Sequence, residues 1–197
     1  MGHQSPLEHI SFTFGIEGVS RSLTHQLVRH RIASYSQQSQ RYVNMSKPQY
    51  VTPSIIAEDI NTKNLYDATM DMIWVTYNTI TDQLKNTYIE QGYDTNNAEK
   101  KAIENARYVL PNACETKIIV TMNARSLLHF FEERCCNRAQ DEIRELANEM
   151  LRLVKKICPI IFNKAGASCI RGKCKEGAMS CKNINKNVQI KGQIRFE

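Results

Sequence analysis

Residues 29–42 are RHRIASYSQQSQRY, a stretch that places three arginines and a histidine beside a run of serines and glutamines. Arginine stays protonated at physiological pH and offers five donors in a planar fork, which suits acceptor-rich groups such as phosphate. On a helix, Arg29 and Arg31 would lie about 200° apart at ~100° per residue, so they cannot both face one flat ligand. Either a helix ends here, or the two arginines serve different groups.

Two other interpretations fit the same residues. The arginines could simply be cations at the C-terminal end of a helix, where they interact favourably with the exposed backbone carbonyls and bind no ligand. A basic nucleic-acid-binding module would place Arg29, Arg31 and Arg41 on phosphates and would bind oligonucleotides with a steep dependence on salt. Because Tyr35 and Tyr42 are the only aromatic residues among these arginines, such a module would have few stacking platforms.

The sequence around this stretch predicts alternating strands and helices. Residues 8–18, EHISFTFGIEG, carry apolar side chains at period two, which indicates a half-buried strand closed by glycine. Ser20 can then cap a helix that runs through Leu23 and Leu27 toward Arg31, and QSQRYV is expected to be extended.

Hydrophobic periodicity extends these predictions along the chain. It predicts an amphipathic helix over residues 64–91 and another over about 97–109, capped by Asn96 and stopped by Pro111. The apolar stretch TKIIVTM predicts a short strand. NARSLLHFFEER and the segment after it predict one long helix or two consecutive helices, and VQIKGQIRF near the end of the chain is a last candidate strand.

Length and composition set the broad class. The chain has 197 residues, 42% of them hydrophobic, which fits one globular domain with a real core. No apolar run reaches the roughly 18 residues of a membrane span, and the start lacks a secretory signal. Seven cysteines, an odd number that includes Cys135 and Cys136, indicate free thiols and a cytoplasmic location. The formal charge of +6 favours anionic partners without choosing among them.

A second group of functional residues lies in NARSLLHFFEER. Asn123 can cap this helix, and Arg125 and His129 lie four residues apart on one face. Arg134 is about 180° around the helix from Arg125, so a site that uses both faces must be assembled where several chains meet. The simpler alternative is that Arg134 pairs with a nearby glutamate and that His129 is packed in the core.

No pairing of a nucleophile with a base is recognisable. The sequence has no G-x-S-x-G elbow, H-E-x-x-H pair or glycine-rich phosphate loop, so a cofactor is expected to carry any chemistry. Cys158, Cys169, Cys174 and Cys181 raise a structural zinc site, but they lack a C-x-x-C pair and we expect no metal.

With these residues described, the chain closely resembles the flavin-dependent thymidylate synthases. Their signature, R-H-R followed by seven residues and S, is matched by Arg29, His30, Arg31 and Ser39. The blocks GHQSPLEH, QLVRHR, SQRY, ARYVLP and NARSLLHF, followed by Arg134, occur in the family's order along nearly the whole chain. The resemblance implies an α+β fold, a single domain over residues 1–197 with a small antiparallel sheet and long helices, assembled as a homotetramer.

The resemblance also implies the ligands. FAD would be the cofactor, dUMP the substrate, and methylenetetrahydrofolate and NADPH the co-substrates, with no nucleic-acid or membrane partner. NADPH reduces the flavin, the folate supplies one carbon, and the flavin's hydride completes the methyl group at uracil C5 without an enzyme nucleophile. Arg134 would be catalytic and would polarise or ionise the pyrimidine at N3.

Site residues follow from the resemblance by position. Those implied to contact FAD are Ser5, Arg29, His30, Arg31, Gln37, Asn123, Arg125 and His129. Those implied to hold the nucleotide are Gln26, Arg29, Gln37, Gln38, Ser39, Gln40, Arg41, Arg107 and Arg134.

The chain departs from the family pattern at a few positions. Gln37 stands where many members have glutamate, Gln40 where glycine is common, and Ser5 where threonine is frequent. Members usually carry several dozen residues before the GHxSPxEH block, so the chain is expected to lack the family's N-terminal segment. Residues 163–197 are expected to form a cysteine-rich C-terminal tail.

Overall fold

The computed structural model describes residues 3–41 and 49–182, and it combines strands with helices in the predicted α+β class. The candidate strand VQIKGQIRF and Tyr42 lie outside the described residues. No helix in the described part of the chain is long and apolar enough to cross a membrane.

Three strands and seven α-helices make up the regular structure of the described residues. The strands are β1 (Ser11–Ser20), β2 (Ala33–Gln37) and β3 (Glu115–Asn123). The helices are α1 (Arg21–Leu27), α2 (Ser54–Glu58), α3 (Ile60–Glu90), α4 (Thr95–Ala106), α5 (Ala124–Arg134), α6 (Asp141–Ile157) and α7 (Pro159–Phe162).

The chain divides into two compact units. Unit 1 comprises Met1–Val19, Leu23–Ser36 and Lys117–Glu197, and unit 2 comprises Ser20–Ser22 and Gln37–Thr116. The single domain over residues 1–197 stays a prediction.

The strands form an antiparallel sheet in the order β1-β3-β2. Thr13 Oγ1 lies 2.9 Å from Thr121 Oγ1, and Glu17 pairs with Lys117 at 3.1 Å. Both pairs join residues whose numbers have the same sum, which is the register of neighbouring antiparallel strands. These polar pairs occupy the exposed face, so the alternate residues of β1 and β3 face inward.

The core of unit 1 lies between the inner face of the sheet and the helices α5 and α6. Its buried residues include Phe14 and Ile16 of β1, Ile118, Val120 and Met122 of β3, Leu127, Phe130 and Phe131 of α5, and Ile143, Leu146 and Met150 of α6. The helices α5 and α6 are separate, which settles the choice between one long helix and two. Asn123 caps α5 as predicted, because its side chain accepts from the Ser126 N–H at 2.8 Å.

In unit 2, α3 and α4 pack against each other as a hairpin. Gly92, at a φ of +89°, lies two residues after the end of α3. Tyr77 is fully buried, as are Ala98 and Ala102 of α4, whose small side chains permit a close approach of the helices.

Several predicted boundaries are wrong. Asp94, not Asn96, caps α4, because its carboxylate accepts from the backbone N–H groups of Asn96 and Asn97. Strand β1 continues beyond Gly18, while Glu8 belongs to a 3-10 helix, Ser5–His9, that precedes the strand. The extended segment predicted over residues 38–43 does not coincide with β2, which ends before it at Gln37, and residues 42–43 lie outside the described part of the chain.

The start of the tail packs on α5. Glu132 of α5, whose side chain is 14% exposed, accepts from Arg171 Nη2 at 2.7 Å and pairs with Lys175. These cations, with the Lys175 hydrogen bond as the largest cause, lower the pKa of the Glu132 carboxyl. All seven cysteines are free thiols, as predicted.

Candidate functional site

The R-H-R segment forms the turn that follows α1. The helix ends at Leu27, and the backbone N–H groups of Arg29 and His30 bond to the carbonyls of Gln26 and Leu27 at 3.2 and 3.1 Å. Of the two arrangements that the sequence left open for Arg29 and Arg31, a helix that ends before them is the one observed.

Two further residues fix the shape of this turn. Ile32 has a φ of +63°, which is strained for a β-branched residue, and its side chain is exposed. The Tyr35 hydroxyl lies 2.8 Å from the Leu27 carbonyl oxygen and 2.7 Å from that of His30, so its proton is shared between them. Burial raises the pKa of Tyr35 to about 12, which keeps this donor protonated.

Two predicted site residues of unit 1, His30 and Gln26, contact a third, Arg134. Its Nε donates to His30 Nε2 at 2.9 Å, and its Nη1 donates to Gln26 Oε1 at 3.5 Å. Gln26 Nε2 in turn donates to Gln140 Oε1. We call His30, Arg134, Gln26 and Gln140 the Arg134 network.

His30 is neutral in this network. Burial, and secondarily the charges of Arg134 and His129, lower the pKa of His30 to about 4. Because Nε2 accepts from Arg134, the ring proton must be on Nδ1. The ring meets Phe130 edge to face at a centroid distance of 4.9 Å, and the ring of His129 lies 6.1 Å away.

The simpler alternative for the second group of residues is wrong on both counts. Within the described residues, Arg134 has no ion pair with a glutamate, because its partners are His30 and Gln26. His129 is exposed and is not packed in the core.

The other FAD-contact candidates of unit 1 lie in the R-H-R turn and near the start of α5. Arg29 and Arg31 are exposed, and their guanidinium groups have no partner among residues 3–41 and 49–182. Arg125 forms an ion pair with Glu8 of the 3-10 helix that begins at the exposed Ser5. This 3-10 helix lies against α5, and just beyond it the Ala124 N–H donates to the Ile10 carbonyl at 2.7 Å.

The remaining candidates belong to unit 2, where Arg41 and Arg107 meet at Glu104. Arg41 Nη2 lies 2.7 Å from Glu104 Oε1, with both side chains more than two-fifths exposed. Arg107 Nε donates to the Glu104 carbonyl oxygen at 3.2 Å. We call Arg41, Arg107 and Glu104 the Glu104 cluster.

The polar segment before Arg41 is held by local bonds. Gln37 Nε2 lies 3.5 Å from Thr116 Oγ1, and the Gln38 carbonyl accepts from Arg21 Nη2 at 2.6 Å. The Ser39 hydroxyl accepts from the Arg41 N–H at 3.1 Å, and Gln40 is half-buried.

Sequence reasoning missed three residues that organise these groups. Tyr35 was considered only as a stacking platform, although it holds the turn. Gln140 and Glu104 drew no attention, because their partners Gln26 and Arg41 are distant in sequence and no local pattern connects them.

The chemistry that this arrangement allows is hydrogen bonding and charge stabilisation. Cys135, next to Arg134, has its pKa raised to about 12 by burial, so its thiol is a poor nucleophile. Burial also raises the pKa of Cys114. Within the described residues, no three His, Cys, Asp or Glu side chains could together hold a metal ion.

Comparisons with known proteins agree with the resemblance. Residues 1–160 match the family model described as thymidylate synthase complementing protein. The chain is 61% identical over 180 residues to a flavin-dependent thymidylate synthase of Clostridium tetani, with 91% of this chain and 72% of that protein aligned. It is 51% identical over 197 residues to the protein of the same name from Geobacter sulfurreducens, covering 99% of this chain and 77% of the relative. For the Pyrococcus furiosus relative, also named flavin-dependent thymidylate synthase, the identity is 47%, with coverage of 89% and 69%.

Proposed function

The chain belongs to the thymidylate synthase complementing protein family, the flavin-dependent thymidylate synthases, and we propose that it converts dUMP to dTMP. FAD is the cofactor, methylenetetrahydrofolate the carbon donor and NADPH the reductant. This is a methyl transfer without an enzyme nucleophile, for which the protonated thiol of Cys135 is the expected state.

The observation that carries the proposal is the Arg134 network. A neutral imidazole and a neutral amide orient the Arg134 guanidinium, and no carboxylate of the described residues neutralises it. A fixed cation of this kind stabilises the negative charge that develops on a pyrimidine when its N3 is polarised. Arginine suits this role, because it does not give up its own proton.

The residues of unit 1 fit FAD. Arg29 and Arg31 present donor forks without partners among the described residues, and forks of this type match the anionic pyrophosphate of a dinucleotide. His30 carries its proton on Nδ1, which leaves a neutral donor for a flavin acceptor. The resemblance adds Ser5, Gln37, Asn123, Arg125 and His129 to the proposed set. When bound, FAD supplies the hydride chemistry of the reaction.

For the nucleotide, we assign the phosphate to the arginines of the Glu104 cluster. Arg41 pairs with the Glu104 carboxylate, and Arg107 bonds to the backbone carbonyl of the same residue, so two guanidinium groups lie near one anion that a phosphate can replace. The resemblance adds Gln26, Arg29, Gln37, Gln38, Ser39, Gln40 and Arg134 to the residues proposed to hold the nucleotide.

Reconstitution with FAD tests the function. The purified chain is expected to acquire flavin absorbance and to form dTMP from dUMP, methylenetetrahydrofolate and NADPH. Absence of flavin absorbance after adding FAD would overturn the proposal. Salt-dependent binding to oligonucleotides together with indifference to FAD would favour the basic nucleic-acid-binding module instead.

We further propose that the chain is a homotetramer in the cytoplasm. Leu65, Met72 and Val75 are between 66% and 71% exposed and lie along one face of α3, as an apolar contact surface for another copy would. Light scattering on the purified protein is expected to give four times the chain mass, and a monomer would contradict this assembly. The seven free thiols favour the reducing cytoplasm.

A further inference from the structure

Gln140 is the last member of the Arg134 network. It lies outside the signature motif and is not among the residues assigned to the site. We propose that Gln140 is a positioning residue that fixes the orientation of the Gln26 amide and thereby the face that Gln26 and Arg134 present to the pyrimidine. This inference rests on the proposed function, since it concerns the same site.

The chemistry of the partners determines which way the Gln26 amide points. A guanidinium has donors and no acceptor, so the atom of Gln26 that faces Arg134 Nη1 must be the carbonyl oxygen Oε1, 3.5 Å away. The amide nitrogen then points the other way and needs an acceptor. Gln140 Oε1 is that acceptor.

The position of Gln140 at the start of α6 leaves its side chain available for this contact. Gln140 occupies the N-cap position of α6, yet its side chain makes no capping bond. Serine and aspartate are preferred at the N-cap because their side chains accept a hydrogen bond from a backbone N–H of the first turn. The glutamine leaves its terminal amide available for Gln26, which it reaches from a position 114 residues away in sequence.

The loop that carries Gln140 is tied to neighbouring segments. Arg144 Nη1 donates to the Asn137 carbonyl at 3.0 Å, and the Ala139 N–H bonds to the Cys136 carbonyl at 2.9 Å. Arg138 pairs with Glu176 of the tail at 3.1 Å. Because the same loop begins directly after Arg134, its two ends supply both groups that contact Gln26.

A fixed amide has a consequence for substrate binding. One hydrogen of Gln26 Nε2 is used by Gln140, and the second remains for an acceptor such as a pyrimidine carbonyl. Without Gln140, the amide can rotate and bring its nitrogen toward Arg134, where two donors would oppose each other. The loss of one such hydrogen bond is expected to weaken dUMP binding by roughly tenfold.

The test compares two substitutions of Gln140 in the FAD-loaded enzyme. Gln140→Leu removes the acceptor and is expected to raise the Kd for dUMP, measured from the change in flavin absorbance, with FAD affinity unchanged. Gln140→Asn keeps an uncharged acceptor oxygen on a side chain that is one methylene shorter, and it is expected to restore part of the binding that Gln140→Leu loses. Gln91→Leu, at an exposed glutamine after α3, controls for the loss of a surface amide. An unchanged Kd in Gln140→Leu would overturn the proposal.

A double-mutant cycle separates positioning from general stability. If Gln140 acts through Gln26, the variant with both Gln26→Ala and Gln140→Leu should bind dUMP no more weakly than Gln26→Ala alone. Additive losses would contradict the proposal. A crystal structure of Gln140→Leu supplies a readout that does not need activity: the Gln26 amide should leave Arg134, and an unmoved amide would refute the role. Failure of wild-type enzyme to bind dUMP would instead count against the proposed function.

Discussion

The Arg134 network and the Glu104 cluster place the same functional group, a guanidinium, in two different electrostatic settings. Arg134 is held by neutral partners, His30 and Gln26, so its charge is oriented but not cancelled. Arg41 faces the carboxylate of Glu104 at 2.7 Å and is partly exposed. We propose from this comparison that the first arginine stabilises charge during the reaction and that the second has an anion that a ligand can replace.

The two settings also differ in the free energy that an incoming anion gains from the arginine. An exposed ion pair such as Arg41 with Glu104 contributes about 0–1 kcal/mol, because water competes with both charges. Exchange of the Glu104 carboxylate for a phosphate therefore costs little. A partly buried cation with neutral partners has no such compensation, and an anion that approaches it gains more from the interaction.

Replacement of Arg134 should give the largest effect. Arg134→Ala removes the cation that we assign to the pyrimidine, and turnover should fall by at least about a hundredfold. Flavin absorbance of the loaded protein should persist, since other residues are assigned to FAD. Arg152→Ala, at a surface arginine of α6 that pairs with Glu149, is the matched control and should keep its turnover. Normal turnover in Arg134→Ala would remove the distinction between the two settings.

Replacement of Arg41 should affect binding rather than the chemical step. Arg41→Ala is expected to raise the KM for dUMP by roughly tenfold, the loss typical of one charge-assisted hydrogen bond, with little change in kcat. Steady-state kinetics with saturating NADPH and folate measures both constants. Arg152→Ala, which breaks a comparable surface ion pair with Glu149, serves as the control. An unchanged KM would exclude Arg41 from the phosphate site.

The neutral partner His30 gives a prediction about pH. Its pKa is about 4 in the folded chain, below the usual 6.5, so the unfolded chain binds the proton more readily between these values. The free energy of unfolding should therefore fall as the pH decreases from about 6.5 to 4. In His30→Gln, urea unfolding at several pH values should show a weaker decrease over this window. An identical pH dependence in the two proteins would mean that His30 is not held neutral.

Some features of the fold were predictable because they depend on neighbouring residues. The cap of α5 by Asn123 and the strand that contains Ile118 and Val120 follow from local patterns that the structure confirms. The end of α1 was placed too late. In the turn that follows, Ile32 has a positive φ, a conformation that β-branched residues disfavour and that no propensity argument predicts.

In the candidate site too, some features could be predicted from the sequence and others depend on the folded chain. The resemblance supplied the identities of Gln26, His30 and Arg134, but the sequence did not predict that they contact one another. Such contacts join residues more than a hundred positions apart and depend on tertiary packing. Gln140 and Glu104 belong to the same class, because only the folded chain brings them to their partners.

The smallest effect is expected for Glu104, because its replacement changes only the anion beside Arg41. Glu104→Gln removes the negative charge and keeps the shape of the side chain, so a phosphate no longer competes with a carboxylate for the guanidinium. The affinity for dUMP should rise by about two- to fivefold, in line with the small free energy of an exposed ion pair, and the gain should shrink at high salt. Titration of the FAD-loaded enzyme at two ionic strengths measures this gain. Glu149→Gln removes a similar surface carboxylate from Arg152 and should leave dUMP affinity unchanged. A weaker affinity in Glu104→Gln would mean that the carboxylate orients Arg41 for the nucleotide. Both arginines would then be oriented by their partners, and the contrast between them would be lost.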